Sequence, residues 1–201
     1  MSMELILSLR QGDGGPVDTS GRGGAVRGRN VAAVEGRLPG RSAMGFDGAR
    51  SRVVVLPSEA LTELGGVRVT TWLWVNEVTG RHTIAEGYLS FALFVDADRS
   101  IGGTVYNGFD WGGVRSAPGT VPLRQWLYLA FTYDGVDTST IHLDNVLRAH
   151  EYSPFGSVLG VEWPYGLNVG AWPDADKRVF AGRIDELKLW RRRRTPPGKP
   201  G

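Results

Sequence analysis

Cysteine is absent from all 201 residues, which excludes disulfides and thiolate-held metals. Histidine is nearly absent, and His82, His142 and His150 share no metal-ligand spacing, so no histidine metal site is expected. No stretch nears the ~18 consecutive apolar residues of a membrane-spanning helix, so membrane insertion is not expected. The start, Met1-Ser2-Met3-Glu4, has no basic region and no apolar run of signal-peptide length behind it. The net charge of +2 is also thinner than it looks. Arg191 to Arg194 and Lys199 supply five positive charges at the end, and without them the body is net negative. No nucleic-acid partner is expected of such a body.

Apolar residues are sufficient for a core, at 41% of the chain. The 29 glycines and 11 prolines are spread along it, which suits many short strands joined by turns in one all-β domain. Leu5, Leu7 and Leu9 open a first strand, and Gln11 to Gly24 reads as loop. Val67 to Val75 is the clearest strand: Val67, Val69, Thr71, Leu73 and Val75 line one face, Trp72 and Trp74 the other. Strands are also expected over Ile84 to Tyr88, Leu89 to Val95 and Ile101 to Val105, with Asp96 to Asp98 as a turn. Trp126 to Tyr133 is apolar on both faces, hence a buried central strand. Asp144-Asn145 can take the positive φ angles of a tight hairpin turn.

The stretch V-F-A-G-R-I-D-E-L-K-L-W, Val179 to Trp190, breaks the side-chain period of a strand. Phe180, Gly182 and Ile184 share one parity, Leu187 and Leu189 the other. A bulge or a change of partner must therefore fall at Asp185-Glu186. This stretch resembles the closing strand of LamG-like jelly-roll domains of the concanavalin A-like lectin/glucanase superfamily, roughly F-x-G-x-I-D-E-V-x-I-[WY]-x-R. Further matches follow in family order. V-D-T-S-G-R-G-G at Val17 to Gly24 lies after the first strand, and Phe46 with Asp47-Gly48 leads to Pro57. V-T-T-W-L-W ends at Trp74, P-L-R-Q-W-L-Y-L-A-F-T-Y-D-G runs to Gly135, and L-N-V-G-A ends at Ala171. Arg50 and Arg52 stand where the family often has an acid, so no role of that acid carries over. The resemblance implies an all-β, concanavalin A-like jelly-roll sandwich of two antiparallel sheets over residues 4–193. Residues 194–201 read as a basic, Pro/Gly-rich disordered tail or linker stub.

Superfamily members that cleave β-glucans carry carboxylates as E-x-D-x-E on one strand, since spacing of two puts them on one face. No such pattern occurs here. Glu86 stands alone, and Asp185 and Glu186 would point to opposite faces of a regular strand. Hydrolysis of a glycoside needs two flanking carboxylates, so no enzyme is expected. Two functions stay open. One is a non-catalytic binding module for carbohydrate or glycoconjugate, using aromatic loops at the end of the sandwich. The other is a structural, adhesion or protein-interaction module of a larger secreted, cell-surface or phage-like particle. The candidate ligand-binding residues are Tyr106, Asp110 and Trp111 in Y-N-G-F-D-W-G-G, with Trp163 and Trp172 in two later loops. Aromatic planes stack on sugar C–H faces. The same residues would serve equally to close the ends of the sandwich as satellite core. The resemblance also implies a possible structural calcium between the first loop and the closing strand, on Asp18 and Asp185. Against it, Asp18 could cap an Asx turn and Asp185 the bulge. The resemblance points to an extracellular, cell-surface or particle location, with a cytoplasmic one left open by the N-terminus.

Overall fold

The computed structural model describes residues 3–62, 64–161, 165–173 and 175–193. Its strands in chain order are β1 (Glu4–Gly12), β2 (Gly15–Asp18), β3 (Val26–Arg29), β4 (Ala32–Glu35), β5 (Ser42–Asp47) and β6 (Arg52–Val55). After the helical turn α1 (Glu59–Thr62) come β7 (Gly66–Val75), β8 (His82–Gly87), β9 (Phe91–Val95), β10 (Ile101–Tyr106) and β11 (Trp111–Arg115). The chain closes with β12 (Trp126–Tyr133), β13 (Thr138–Leu143), β14 (Val146–Tyr152), β15 (Leu167–Val169) and β16 (Ala181–Arg192). The larger sheet has nine strands, in the order β14-β13-β12-β7-β16-β1-β2, with β5 paired to β16 and β4 to β5. The smaller has seven, in the order β11-β10-β9-β8-β15-β6-β3. The expected all-β sandwich of two antiparallel sheets is what forms.

Alternation builds the core. Val67, Val69, Leu73 and Val75 of β7 face inward with Leu129 and Phe131 of β12, against Phe91, Leu93 and Val95 of β9. Phe131 reaches across to the backbone of Gly103, where a Cβ would lie 2.3 Å from its ring. The sheets meet that closely only because β10 has no side chain there. On the outer face of the larger sheet, Trp72 pairs with Tyr128 and Trp74 with Trp126 across β7 and β12. Arg37 and Arg183 lie over these rings, 4.2 Å from Trp72 and 5.0 Å from Trp74.

The parity break has two parts. The register of β16 against β7 shifts between Asp185 and Lys188, and Glu186 sits at φ 49°. On the other edge, Ala181 to Ile184 pair with β5, whereas Leu187 to Arg191 pair with β1. One strand therefore serves two neighbours in succession, and the bulge is where it changes.

Two expectations need correction. Gln11 to Gly24 is not all loop, because β2 turns back onto β1, Leu9 opposite Asp18. A four-residue edge strand with a proline carries no alternation to betray it. Tyr106 to Gly113 is not an open loop but a tight hairpin with Tyr106 opposite Trp111. The Asn107 side chain closes its turn by accepting the Phe109 and Asp110 N–H groups. The first two arginines of the basic end, inside the expected domain, complete β16. Arg191 is 5% exposed and reaches Glu4 at 3.2 Å and the Ala60 carbonyl at 2.9 Å. Arg192 donates to the Asp134 carbonyl at 2.7 Å. The tail expected over 194–201 lies outside the described residues.

Candidate functional site

The outer face of the smaller sheet is hollow over β8 to β11. Thr104, Ala92 and Glu86 stand opposite one another on β10, β9 and β8. Ala92 is the low point of that row, since a methyl group leaves the space between its neighbours open. One row along, Phe94 lies opposite Gly102, and a Cβ on Gly102 would be 2.3 Å from the Phe94 ring. The missing side chain lets that ring lie flat on the strand. Trp111 from β11 and Trp172 from the loop before β16 rise at the sides, and Arg81 and Arg178 complete the lining. The cleft holds about 290 Å³.

Its polar groups are held differently. The Arg81 guanidinium lies on Phe94, 3.8 Å from the ring centre, and is bound to both Asp96 oxygens at 2.7 and 3.1 Å. The Arg178 guanidinium lies on Trp172 at 3.9 Å. Its backbone is left-handed, φ 53°, and its carbonyl accepts the Thr83 N–H of β8 at 2.7 Å. Glu86 is 5% exposed. Burial pushes its carboxyl up to about 7, against the pull of Arg178, the Thr83 hydroxyl and Arg81. A carboxyl so perturbed, in a cleft, marks a candidate site. Among the described lining residues it is the one carboxylate. The cleft thus offers an acid or a base, but not the flanking pair that glycoside hydrolysis requires.

The sequence candidates fall into three groups. Trp111, 41% exposed, and Trp172 come together on the cleft. Tyr106 and Asp110 support it without lining it. The Tyr106 ring packs on Trp111 at 5.1 Å, and the Asp110 carboxylate accepts the Trp111 N–H at 2.7 Å. Trp163 lies outside the described residues. The site also sits on a sheet face rather than at the end of the sandwich. Sequence reading missed Arg81, Phe94, Thr104 and Arg178 and gave Glu86 no binding role. Phe94 and Thr104 had a signal available, their outward parity on β9 and β10. Phe109, at the hairpin tip beside the cleft, is 94% exposed.

The aspartates proposed for calcium are engaged separately. Asp18 accepts the N–H groups of Ser8, Ser20 and Gly23 at 2.9, 2.9 and 3.0 Å and the Ser20 hydroxyl at 2.8 Å. Asp185 is buried and accepts the N–H groups of Glu186 and Arg37, and burial, with Glu186 alongside, raises its carboxyl. β1 runs between their two strands. Among the described residues no three His, Asp or Glu side chains group as metal ligands. Each carboxylate is taken up by its own donor hydrogens, on strands separated by β1, so the residues do not fit an ion shared between them.

Comparisons with known proteins agree with this architecture. No curated protein matches the chain by sequence. The binding domain of Paraclostridial Mosquitocidal Protein 1 superposes with TM-score 0.76 at 11% identity, over 95% of this chain and 49% of that one. The binding domain of Botulinum Neurotoxin DC, in complex with SialylT, gives 0.64 at 14% identity, over 95% and 48%. Domain 4 of AbnA, an extracellular arabinanase from Geobacillus stearothermophilus, in complex with arabinotriose, gives 0.62 at 19% identity, over 98% and 96%. The chain therefore spans about half the length of the toxin binding domains and nearly all of the arabinanase domain. At such identities these likenesses establish the fold. The sequence carries the family, since a model of the concanavalin A-like lectin/glucanases superfamily matches residues 47–197. With the two-sheet sandwich and the closing strand described above, the chain belongs to the concanavalin A-like lectin/glucanase superfamily.

Proposed function

We propose that the protein is a non-catalytic carbohydrate-binding module whose ligand lies in the cleft over Ala92. One observation carries the reading: two tryptophans distant in sequence, Trp111 and Trp172, converge on a hollow whose floor holds a carboxylate and an arginine. Apolar walls with a few convergent polar groups are the general form of a small-molecule site. Aromatic walls take sugar C–H faces, and Glu86 and Arg178 meet the hydroxyls. Among the structural neighbours, the arabinanase domain holds arabinotriose and a botulinum domain is complexed with SialylT, which supports the same reading here. Those neighbours are toxin domains and part of an extracellular enzyme, which supports a site of action outside the cell or on a particle surface.

The test is a glycan array followed by calorimetric titration. Trp111→Ala and Trp172→Ala should each weaken binding of an array ligand about tenfold or more, as loss of a central aromatic contact does. Both variants should melt close to the wild type. A folded protein that binds no glycan, or binding untouched by both substitutions, overturns the reading. The alternative, a protein-interaction module, is favoured by the exposed Phe109. It predicts an empty array, with Phe109→Ser abolishing pull-down of a protein partner.

A further inference from the structure

In the cleft a carboxylate, Glu86, and a guanidinium fork, Arg178, lie near each other without pairing. Glu86 accepts one hydrogen bond among the described residues, from the Thr83 hydroxyl, and it is long, at 3.5 Å. Arg178 lies close enough to lower the Glu86 carboxyl electrostatically but forms no ion pair with it. The two cations of the cleft are not equivalent. Arg81 has its fork closed on Asp96. Arg178 has its flat face on Trp172 and, among the described residues, donates to no carboxylate or carbonyl. An unpaired guanidinium could simply be solvated, but this one is held in place. Its left-handed backbone is tied to β8 through the Thr83 N–H, three residues from Glu86 on the same strand. Non-glycine residues are kept in that conformation only where their surroundings enforce it.

A ligand that satisfies both groups must donate to Glu86, accept from Arg178 and present an apolar body to Phe94 and Trp111. At about 290 Å³ the cleft is at the small end for ligand pockets, room for one ring rather than an extended chain. Neighbouring hydroxyls on a neutral sugar ring meet these demands, because each donates and accepts. An acidic sugar would satisfy Arg178 but set a second anion beside a buried carboxylate. A cationic amino sugar would satisfy Glu86 but face Arg81 and Arg178. Specificity is often built by such repulsion.

We propose that the cleft selects a neutral sugar residue, two hydroxyls of which bridge Glu86 and Arg178, and that Glu86 is the residue that rejects acidic sugars. This rests on the carbohydrate-binding reading and adds the class of ligand.

Calorimetry or ligand-observed NMR at pH 8 with lactose against sialyllactose, galactotriose against trigalacturonate, and arabinotriose tests it. The wild type should bind a neutral member at least about tenfold more tightly than its acidic counterpart, the scale of a like-charge clash inside a site. Glu86→Gln keeps the shape and removes the charge, so it should narrow that preference to about threefold or less. Arg178→Gln should weaken neutral binding about tenfold, through loss of a charge-assisted bond. Ala92→Met should abolish binding by filling the hollow. If the wild type prefers the acidic members, or Glu86→Gln leaves the preference unchanged, the inference falls while the carbohydrate reading stands. If no saccharide in the set or on the array binds, both fall.

Discussion

Among single residues, Glu86 carries a strong pH dependence. Its carboxyl is raised from an ordinary 4.5 to about 7. Between those values the folded protein keeps a proton that the unfolded chain has released, so stability falls as pH rises and levels off above about 7. The full cost is roughly 3 kcal/mol. Urea unfolding at pH 5 and pH 8 should therefore show a loss in the wild type, and the difference between wild type and Glu86→Gln should shrink or vanish at pH 5. Parallel pH profiles for the two proteins would mean that Glu86 is ionised throughout. The sequence marked Glu86 only as a carboxylate without a partner. What raises its carboxyl is burial, and burial depends on Trp172, Arg178 and Phe94, which approach it from other segments.

Among the elements, β16 decides most. The bulge frees the Asp185 carbonyl, and the Thr71 hydroxyl of β7 takes it up at 3.0 Å in a buried setting. Thr71→Val keeps the shape and leaves that carbonyl without its partner, which should cost about 1–3 kcal/mol in chemical denaturation. An unchanged midpoint would mean that water reaches the carbonyl. Glu186 at φ 49° makes the converse case. Glu186→Gly should be neutral or stabilising by up to about 1 kcal/mol, whereas Glu186→Pro, locked near φ −65°, should disrupt the strand. The bulge itself was legible in the sequence because parity is local. The exchange of β5 for β1 along the same edge was not, since neighbouring strands are chosen by the whole sheet. The hairpin at Asp144-Asn145, with φ 49° and 64°, was legible for the same local reason.

For the whole molecule, the first and last strands are tied by protein groups. Glu4 of β1 is bound by Arg22, Arg191 and Arg193 together, and Arg191 extends the tie to α1. Arg191→Ala should cost about 1–3 kcal/mol, since it leaves the buried Ala60 carbonyl without its partner while Glu4 keeps Arg22 and Arg193. A loss below about 1 kcal/mol would reduce the tie to a surface contact. With donor hydrogens on both Asp18 and Asp185, the melting temperature should be the same in millimolar calcium and in excess chelator. A rise of several degrees in calcium would restore the ion to the first loop and closing strand.

The chain by itself determined the architecture. Alternation along β7, the doubly apolar β12, the turn at Asp144-Asn145 and the broken parity of β16 are each properties of a few consecutive residues. Their order along the chain is that of a jelly roll. It also determined which catalytic pattern is missing, because spacing on one strand is likewise local. Only the tertiary structure decided where the cleft lies. Ala92, Phe94, Thr104, Trp111, Trp172 and Arg178 come from separate segments and carry no shared spacing. Short, irregular pieces such as β2 form only against a neighbour already in place. The cleft exists because sheet register puts a small side chain opposite Glu86 and a loop from the far end of the chain folds over both. No local pattern encodes that meeting.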